Sequence, residues 1–487
     1  MLKNFIRFLL YIYAVFCCLI FVAGFMYCFA QSLYGNFTVR QFVFHFALLS
    51  TMDISVKLIL FVLIPPLLCA FFILFAIKKP LLWLRHYVSA DISDKLRKHD
   101  FLLSFITSTA AFILIIGVIY AYSYPPLQIL RQLKYSWEIL AASKHYDTVI
   151  DENYTDPRLL QYTSKHKNNL IVIFAESMEQ TFNNTDIFGE PLLSQLALQQ
   201  GTSIYGNTEL SETSWTFASM TAALCGLPYK VYVPLRNLSD NVVCISDILQ
   251  KNNYNLYFLQ GSSLKFSGSD EFLKKHGFTK LDDINTLQSI PTENTYDIKF
   301  IGRIAEDSAI LNIFKEHIIE LSAQKTPFMA VAFTTNTHPY NGHTEQTCRQ
   351  KYNDMRDGII CSDTYLAEFV QWFRSQEFSA DTTLLILGDH LMQYNSIQKY
   401  LDRAPKRETL NLMWGYAAPK QSFERRFNQF DLAPTLLEMA GFEWKEHKFA
   451  LGTSLLSAEK TLQEVYGDTL NKRLIKNSRL YENLLSE

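Results

Sequence analysis

Asp389 and His390 are adjacent residues that follow the apolar run 382–387 and a single glycine. An apolar run of this length predicts a buried strand. Ligands of open α/β sheets bind at the carboxyl ends of strands, and a carboxylate beside an imidazole offers two metal-binding groups. The pair therefore predicts a metal site. A turn aspartate beside a surface histidine is the alternative interpretation.

Two further segments place reactive groups at the ends of predicted elements. Glu176 follows the apolar run 169–175, where a helix cap or a surface charge is the alternative. Ser211 and Thr213 precede a helix predicted over Trp215–Cys225, and hydroxyls at this position commonly serve as N-caps. The chemical interpretation is a nucleophile at the positive end of a helix, which also binds phosphate. A divalent metal would activate such a hydroxyl by lowering its pKa.

Alternating strand and helix patterns after residue 168 must position these groups. The patterns predict strands over Asn169–Ala175, Asn255–Leu259, Phe328–Phe333, Thr382–Leu387 and Leu410–Trp414, and helices over Asp363–Phe373 and Asp431–Ala440. Strands separated by helices favour an α/β fold, with a mostly parallel sheet covered by helices on both faces. In such a sheet, chemistry collects at the carboxyl ends of the strands, where these groups lie.

The first 123 residues have a different character. Of the 487 residues 49% are hydrophobic, and residues 5–30, 58–77 and 101–122 are long apolar runs. Each run is near the ~20 residues that cross a bilayer, so residues 1–123 are predicted to form a region of three transmembrane helices. The first run lacks the small-residue cleavage site of a signal peptide. Residues 41–50 are apolar but too short to span, which favours an interfacial or re-entrant segment.

Basic residues predict the orientation of these spans. The loop between the second and third runs contains Lys78, Lys79, Arg85, Lys95, Arg97 and Lys98, whereas the loop 31–57 contains only Arg40 and Lys57. The positive-inside rule therefore puts the N-terminus and the loop 78–100 in the cytoplasm. Three spans then place everything after residue 122 outside. The orientation reverses if residues 41–50 also span the membrane.

Cysteine usage gives an independent indication of the compartment. Four cysteines lie beyond the apolar runs, Cys225, Cys244, Cys348 and Cys361, and they form two pairs that are close in sequence. Disulfides persist in oxidising compartments such as the bacterial periplasm. Pairing Cys225 with Cys244 and Cys348 with Cys361 is favoured among the three possible connectivities; four unrelated buried thiols are the alternative.

A connector, residues 124–164, joins the membrane region to the remainder. Apolar residues recur in it at three- and four-residue steps from Leu127 to Ala141, and Trp137 lies on the same stripe. The pattern fits an amphipathic helix on the bilayer surface with the indole at the headgroup level. A helix packed against the soluble domain explains the pattern nearly as well.

Five short motifs occur in the order found in one known family. They are Ile171–Glu179 (IVIFAESME), Glu212–Thr216 (ETSWT), Thr335–Pro339 (TNTHP), Leu387–His390 (LGDH) and Asp431–Gly441 (DLAPTLLEMAG). In this order they resemble the lipoteichoic acid synthase-like phosphoglycerol and phosphoethanolamine transferases, the membrane-anchored branch of the alkaline phosphatase and sulfatase superfamily. The resemblance covers residues 165–457, expected to be a sulfatase-like catalytic domain, and leaves 458–487 as a helical tail.

The resemblance implies roles for particular residues. Glu176, Thr213, Asp389 and His390 would bind one divalent cation, with Mn²⁺ expected and Mg²⁺ or Zn²⁺ as alternatives. Thr213 would also be the nucleophile. His338 would contact the phosphate or assist the leaving or entering oxygen, whereas its alternative is a loop histidine with only a structural role.

Other positions indicate which substrate this chain uses within the branch. Lipoteichoic acid synthases have a histidine where this chain has Gln260, followed by a Trp-x-Arg motif that this chain lacks. Together with the Leu-Cys-Gly-Leu-Pro ending of the predicted helix, this is similar to phosphoglycerol transferases that decorate periplasmic glucans. Gln260, Lys265 and His343 are candidate substrate-binding residues, although an exposed Lys265 is the alternative. The Cys/Ser-x-Pro-x-Arg motif of sulfatases is absent, which argues against sulfate ester hydrolysis.

The resemblance thus implies transfer of phosphoglycerol from phosphatidylglycerol to a glycan or glycolipid through a covalent intermediate on Thr213. The expected location is the bacterial inner membrane, with the catalytic domain in the periplasm. A phosphoethanolamine transferase acting on lipid A is one alternative, for which His343 is a spare metal-binding candidate. A non-catalytic membrane sensor or scaffold that binds glycerophosphate is another. No nucleic-acid partner is expected, because the net charge is -2 and no zinc-finger spacing or basic arm occurs.

Overall fold

The structure, a computed structural model, describes residues 141–485 except 143, 165, 231–240, 266–267, 290–299, 302–303, 339–340 and 394. The three predicted spans, the segment 41–50 and residues 124–140 of the connector therefore lie outside the described residues. Among the residues described, no helix combines the length and the apolar character needed to cross a bilayer. The described residues all belong to one structural unit, Glu138–Glu487.

Short and long strands alternate with helices along the chain. The strands are β1 Thr163–Ser164, β2 Asn169–Ala175, β3 Thr202–Asn207, β4 Asn255–Gln260, β5 Lys280–Asp282, β6 Phe300–Ile301, β7 Ile304–Ala305, β8 Phe328–Phe333, β9 Thr382–Gly388, β10 Asn411–Gly415, β11 Phe423–Phe427, β12 Phe442–Glu443, β13 Lys448–Phe449 and β14 Gly452–Thr453.

The α-helices are α1 Val149–Asn153, α2 Thr185–Phe188, α3 Ser194–Leu198, α4 Thr216–Cys225, α5 Ile245–Lys251, α6 Ser269–Lys275, α7 Ile284–Ser289, α8 Asp307–Ala323, α9 Met355–Arg374, α10 Gln398–Leu401, α11 Leu432–Met439, α12 Leu462–Tyr466, α13 Thr469–Leu474 and α14 Arg479–Leu485. Short 3-10 turns at Gln180–Asn183, Ser211–Thr213, Glu377–Asp381 and Gln429–Asp431 connect several of these elements.

The central sheet has the strand order β11-β3-β10-β9-β2-β8-β4-β5. Strands β9, β2, β8, β4 and β5 are mutually parallel, and β10 pairs antiparallel with both β9 and β3. The predicted α/β fold with a mostly parallel sheet is confirmed. Because the five parallel strands run in one direction, the residues that follow them share one edge of the sheet.

The core explains why these runs form strands. Almost every residue of β2, β8 and β9 is buried, as expected for strands covered on both faces. Alternate residues such as Ile171 and Ala330 join one cluster with Phe314 of α8 and Phe369 of α9. On the opposite face Phe174 stacks on the next strand, with its ring centroid 4.6 Å from that of Phe333.

The predicted strands in the centre of the sheet match the observed ones closely, whereas other predicted elements differ at their ends. The runs at β2 and β8 are reproduced to the residue, and those at β4 and β9 end one residue later than predicted. The last predicted strand, Leu410–Trp414, is shifted by one residue and is antiparallel. The helix predicted at Asp363–Phe373 extends back to Met355, because the Asp354 side chain accepts the Arg356 N–H as an N-cap.

The structure confirms the favoured cysteine pairing. Cys225 is bonded to Cys244, and Cys348 is bonded to Cys361. The first disulfide joins the C-terminus of α4 to the residue that precedes α5. The second joins the long loop after β8 to the first half of α9, so each crosslink stabilises a segment at one end of a helix.

Replacing Cys348 and Cys361 together by serine should lower the free energy of unfolding by about 3 kcal/mol, because a crosslink across a loop of this size restricts the unfolded chain. The bonded residues are 13 positions apart. Chemical denaturation followed by tryptophan fluorescence would measure the change. An unchanged free energy of unfolding would show that the crosslink does not stabilise the fold.

Candidate active site

The register between β2 and β9 places two carboxylates side by side. Ala175 pairs with Gly388 at the last position of the ladder, so Glu176 and Asp389 are the first residues beyond it. A side chain at Gly388 is sterically excluded, since a Cβ there would lie 1.9 Å from the carbonyl oxygen of Met178. Glycine thus allows the chain after β2 to cross close to the end of β9.

Glu176, Asp389 and His390 form a compact cluster. Ligand atoms from the three side chains all lie within 4.8 Å of one another. His390 Nε2 is 3.3 Å from Asp389 Oδ2 and 3.7 Å from Glu176 Oε1. The three residues are at most 4% exposed, so their charges are largely removed from water.

Backbone donors fix the orientation of Asp389. Its Oδ1 accepts the N–H of Ser177 at 2.8 Å and the N–H of His390 at 2.9 Å. Ser177 has a φ of 53°, a left-handed conformation in the turn after β2. Asp389 Oδ2 is buried and accepts no hydrogen bond from the described residues. One carboxylate oxygen is therefore committed to the backbone, and the other faces the cluster.

The imidazole of His390 is oriented in the same way. Its Nδ1 lies 3.0 Å from the carbonyl oxygen of Leu391, to which it donates, so Nε2 faces the cluster. Glu209 Oε1 accepts the N–H of Leu391 at 2.6 Å and holds this segment from the other side. Hydrogen bonds of this kind set the tautomer of metal-binding histidines.

Four hydroxyl groups surround Glu176. The Ser177 hydroxyl donates to Oε1 at 2.7 Å, and the Thr216 hydroxyl lies 3.4 Å from Oε2. The Glu176 N–H donates to the Thr334 hydroxyl at 3.0 Å, and the Thr337 hydroxyl donates to the Glu176 carbonyl. The loop that follows β8 thus fixes the backbone of Glu176.

Burial shifts the ionisation of the cluster. Burial, together with the charge of Glu176, raises the pKa of Asp389 to about 7. Burial alone would lower the pKa of His390, but the charges of Asp389 and Glu176 outweigh it and raise that pKa to about 9. Burial also raises the pKa of Glu209 to about 7. Closely spaced acidic groups destabilise one another, and a bound cation would relieve this repulsion.

The cluster fits a divalent cation. Two carboxylates and one imidazole form a ligand set suited to Mn²⁺, Mg²⁺ or Zn²⁺, and the buried Oδ2 of Asp389 is available to bind one. Cys244, Asp247 and His276 also lie close together. That group does not offer a thiolate ligand, because Cys244 is bonded to Cys225.

The structure separates the two threonines of the Glu212–Thr216 motif. Thr213 is fully buried in its 3-10 turn, with Oγ1 3.1 Å from Gln429 Oε1 and 3.2 Å from the Leu210 carbonyl oxygen. Thr216, the first residue of α4, has its Oγ1 3.4 Å from both Glu176 Oε2 and His390 Nε2. In this structure Thr216 lies at contact distance from two residues of the cluster, whereas Thr213 is hydrogen bonded to Gln429.

The remaining candidate residues lie in loops after neighbouring parallel strands. Gln260 ends β4, and its amide donates to the Ser262 hydroxyl. Lys265 lies five residues further along the same loop. His338 and His343 are in the loop after β8, where His343 Nε2 lies 2.8 Å from Glu306 Oε1. These loops leave the same edge of the sheet as Glu176 and Asp389.

Three residues that contact the cluster or the chain directly beside it were not predicted. Thr216 is the last residue of the Glu212–Thr216 motif. It lies at the start of the helix, close to the predicted nucleophile, and this position could have identified it. Glu209, which accepts the Leu391 N–H, lies three residues before that motif and carries no such signal. Gln429, whose amide donates to the Asp389 carbonyl at 3.4 Å, is brought there by the turn before α11. No local sequence pattern reveals that contact.

Comparison with known proteins identifies the family. The sulfatase family model matches residues 168–442. The chain is 29% identical over 326 residues to phosphoglycerol transferase I of Citrobacter koseri, an alignment that covers 63% of this chain and 41% of the relative. The corresponding Escherichia coli protein is also 29% identical, over 327 residues. The alignments thus span about two-fifths of the length of these relatives.

A solved structure supports the fold. An alkaline phosphatase superfamily protein from Vibrio parahaemolyticus is similar with a TM-score of 0.51 and 19% identity, covering 68% of this chain and 80% of that one. Because the family model matches more than half of the chain, the protein belongs to the sulfatase family, and its similarity to phosphoglycerol transferases confirms the branch that its motifs resemble.

Proposed function

We propose that the protein is a membrane-anchored, metal-dependent phosphoglycerol transferase that moves phosphoglycerol from phosphatidylglycerol to a hydroxyl group of a glycan. The observation that carries the proposal is the buried cluster of Glu176, Asp389 and His390 beside the N-terminus of α4. The phosphoglycerol transferases among its relatives support the choice of transferred group.

Glu176, Asp389 and His390 hold the cation in this proposal, with Thr213 as the fourth ligand and Mn²⁺ as the expected ion. When bound, a divalent cation supplies Lewis acidity and lowers the pKa of a neighbouring hydroxyl group. The protein contributes the orientation of each ligand through Ser177, Leu391 and Thr216.

The start of α4 receives the phosphate of the donor lipid. This helix has ten residues and begins at Thr216, and the N–H groups of a helix's first turn have no partner within the helix and can bind an anion. The positive end of the helix dipole adds to this attraction. Since Thr216 contacts Glu176 and His390, the phosphate would lie directly beside the ligand cluster.

Thr213 acts as the nucleophile. Its hydroxyl exchanges Gln429 for the donor phosphate, and Thr213 Oγ forms a bond to phosphorus while the bond to the diacylglycerol oxygen breaks. The hydroxyl proton passes through His338 to the departing diacylglycerol. In the second half, the acceptor hydroxyl oxygen forms a bond to phosphorus while the bond from phosphorus to the Thr213 oxygen breaks, and the proton of the acceptor hydroxyl passes to the Thr213 oxygen.

The surroundings of the site fit this substrate. The apolar runs in residues 1–123 would anchor the chain to the membrane that contains the donor lipid, which raises the effective concentration of donor at the site. Both disulfides lie in the part of the chain that is expected in the periplasm. Loop residues Gln260, Lys265 and His343 are the proposed contacts to the glycerol group or the acceptor.

The donor can be tested directly. Full-length protein in detergent with Mn²⁺ should release diacylglycerol from labelled phosphatidylglycerol and pass the labelled phosphoglycerol to a glucan acceptor, measured by thin-layer chromatography. Release from phosphatidylethanolamine instead would identify a phosphoethanolamine transferase. Binding of glycerophosphate with no release from either lipid would indicate a sensor or scaffold.

Replacing Thr213 by alanine should lower turnover on the order of 10⁴-fold or more, because it removes the nucleophile. Mass spectrometry of trapped wild-type protein should locate one phosphoglyceryl group on the peptide at Thr213. Thr216→Val is the matched variant: it should keep the adduct on Thr213 but bind the cation ~10–100-fold more weakly, because it removes a partner of Glu176. An adduct mapped to Thr216 would contradict the assignment.

Replacing Asp389 by asparagine should weaken Mn²⁺ binding by more than ~100-fold, since ligand loss exceeds the effect of losing an outer partner. Asp381→Asn is the control, as Asp381 is exposed beside the opposite end of β9.

Cation binding by the wild-type protein should tighten as the pH rises toward 9, because the cation competes with the proton on His390. Calorimetric titration would measure both effects; pH-independent binding would argue against His390 as a ligand.

A further inference from the structure

The C-terminal tail, residues 458–487, begins after the segment matched by the family model, which ends at residue 442. It is described as far as residue 485 and contains α12, α13 and α14. Leu470 and Leu474 of α13 are fully buried, and Tyr481 of α14 is 2% exposed. The tail is therefore packed into the domain along its length.

One contact of the tail reaches the turn that bears Thr213. Asn471 Oδ1 accepts the backbone N–H of Ser211 at 2.9 Å. Ser211 is the first residue of the 3-10 turn, and an N–H group at that position has no partner within the turn itself. The turn is thus held at its start by a side chain 260 residues further along the chain.

A second contact holds the chain beyond the opposite end of α4. The Tyr481 hydroxyl donates to the Pro228 carbonyl at 2.7 Å, and the Lys230 N–H donates to the same hydroxyl at 3.3 Å. Lys230 is itself buried, with its Nζ 5.1 Å from the centre of the Tyr481 ring and donating to the Lys476 carbonyl. The tail consequently contacts the segment 211–230 on both sides of α4.

Ion pairs also join the tail to the connector. Asp147 lies 2.7 Å from Arg473 Nη2 and 3.2 Å from Lys476 Nζ. Burial opposes ionisation of Asp147, but the hydrogen bonds from Arg473, the Val149 backbone and Lys476 outweigh it and lower the pKa of Asp147. The backbones pair as well, since the Asp147 N–H donates to the Asn477 carbonyl at 2.9 Å.

We propose that the tail is a positioning element of the active site and that Asn471 is its positioning residue for the Thr213 turn. Asn471 touches neither the ligand cluster nor the proposed phosphate position, so it acts through Ser211. The inference rests on the proposed function, because Asn471 is inferred to position Thr213, the residue that carries the transferred group in that proposal. Loss of the Asn471 acceptor leaves the Ser211 N–H without this partner and lets Thr213 leave the attacking geometry.

Asn471→Leu and Asn471→Asp are the matched variants, since both are near the size of asparagine and only aspartate retains the acceptor oxygen. Lys472→Leu is the control, because Lys472 is an exposed neighbour on the same helix. In the full-length protein, Asn471→Leu should lower kcat by about 10- to 100-fold. The KM for phosphatidylglycerol and the unfolding midpoint should stay near wild type, and Asn471→Asp should restore kcat.

Hydrogen exchange separates this inference from the proposed function. Asn471→Leu should speed amide exchange in the peptide that covers residues 209–216, whichever group the protein transfers. Tyr481→Phe, a second variant that removes only a hydroxyl, should speed exchange at residues 226–230. Exchange at residues 209–216 that is unchanged in Asn471→Leu would overturn the positioning role, as would a general loss of protection in both variants.

Discussion

The in-register pairing of β2 with β9 is the constraint on which the active site depends. It sets Glu176 beside Asp389 and brings the N–H of Ser177 to within 2.8 Å of the Asp389 carboxylate. A slip of one residue would turn every side chain of the strand to the other face of the sheet, which would disrupt the packing on both covered faces and separate the two acids. The apolar cores of both strands therefore protect the geometry of the site.

That geometry has an electrostatic cost which the surroundings offset. Two carboxylates and an imidazole are buried together, and buried charges are unfavourable unless they are paired and hydrogen bonded. Backbone N–H groups occupy one oxygen of Asp389, and hydroxyl groups surround Glu176. The same contacts that stabilise these charges aim the remaining atoms at one point, where a cation would complete the neutralisation. Stability and function thus depend on the same hydrogen bonds.

The sequence predicted the centre of the fold better than its edges. Long apolar runs such as β2 and β8 are recognisable because they are buried on both faces. The edge strands β5 and β11 and the neighbouring β3 were not predicted, because they are short or mix exposed residues with buried ones. The antiparallel direction of β10 was also missed, since a strand pattern carries no information about its pairing direction.

The sequence by itself determined the chemical groups and their approximate place, because Glu176 and Asp389 directly follow runs that must be parallel strands. It also supplied the four cysteines and favoured their pairing. Only the tertiary structure decided which hydroxyl contacts the cluster, that Gln429 holds Thr213, and that Asn471 reaches Ser211. These contacts join residues between 40 and 260 positions apart, and they depend on how separate elements pack, which no local pattern in the chain encodes.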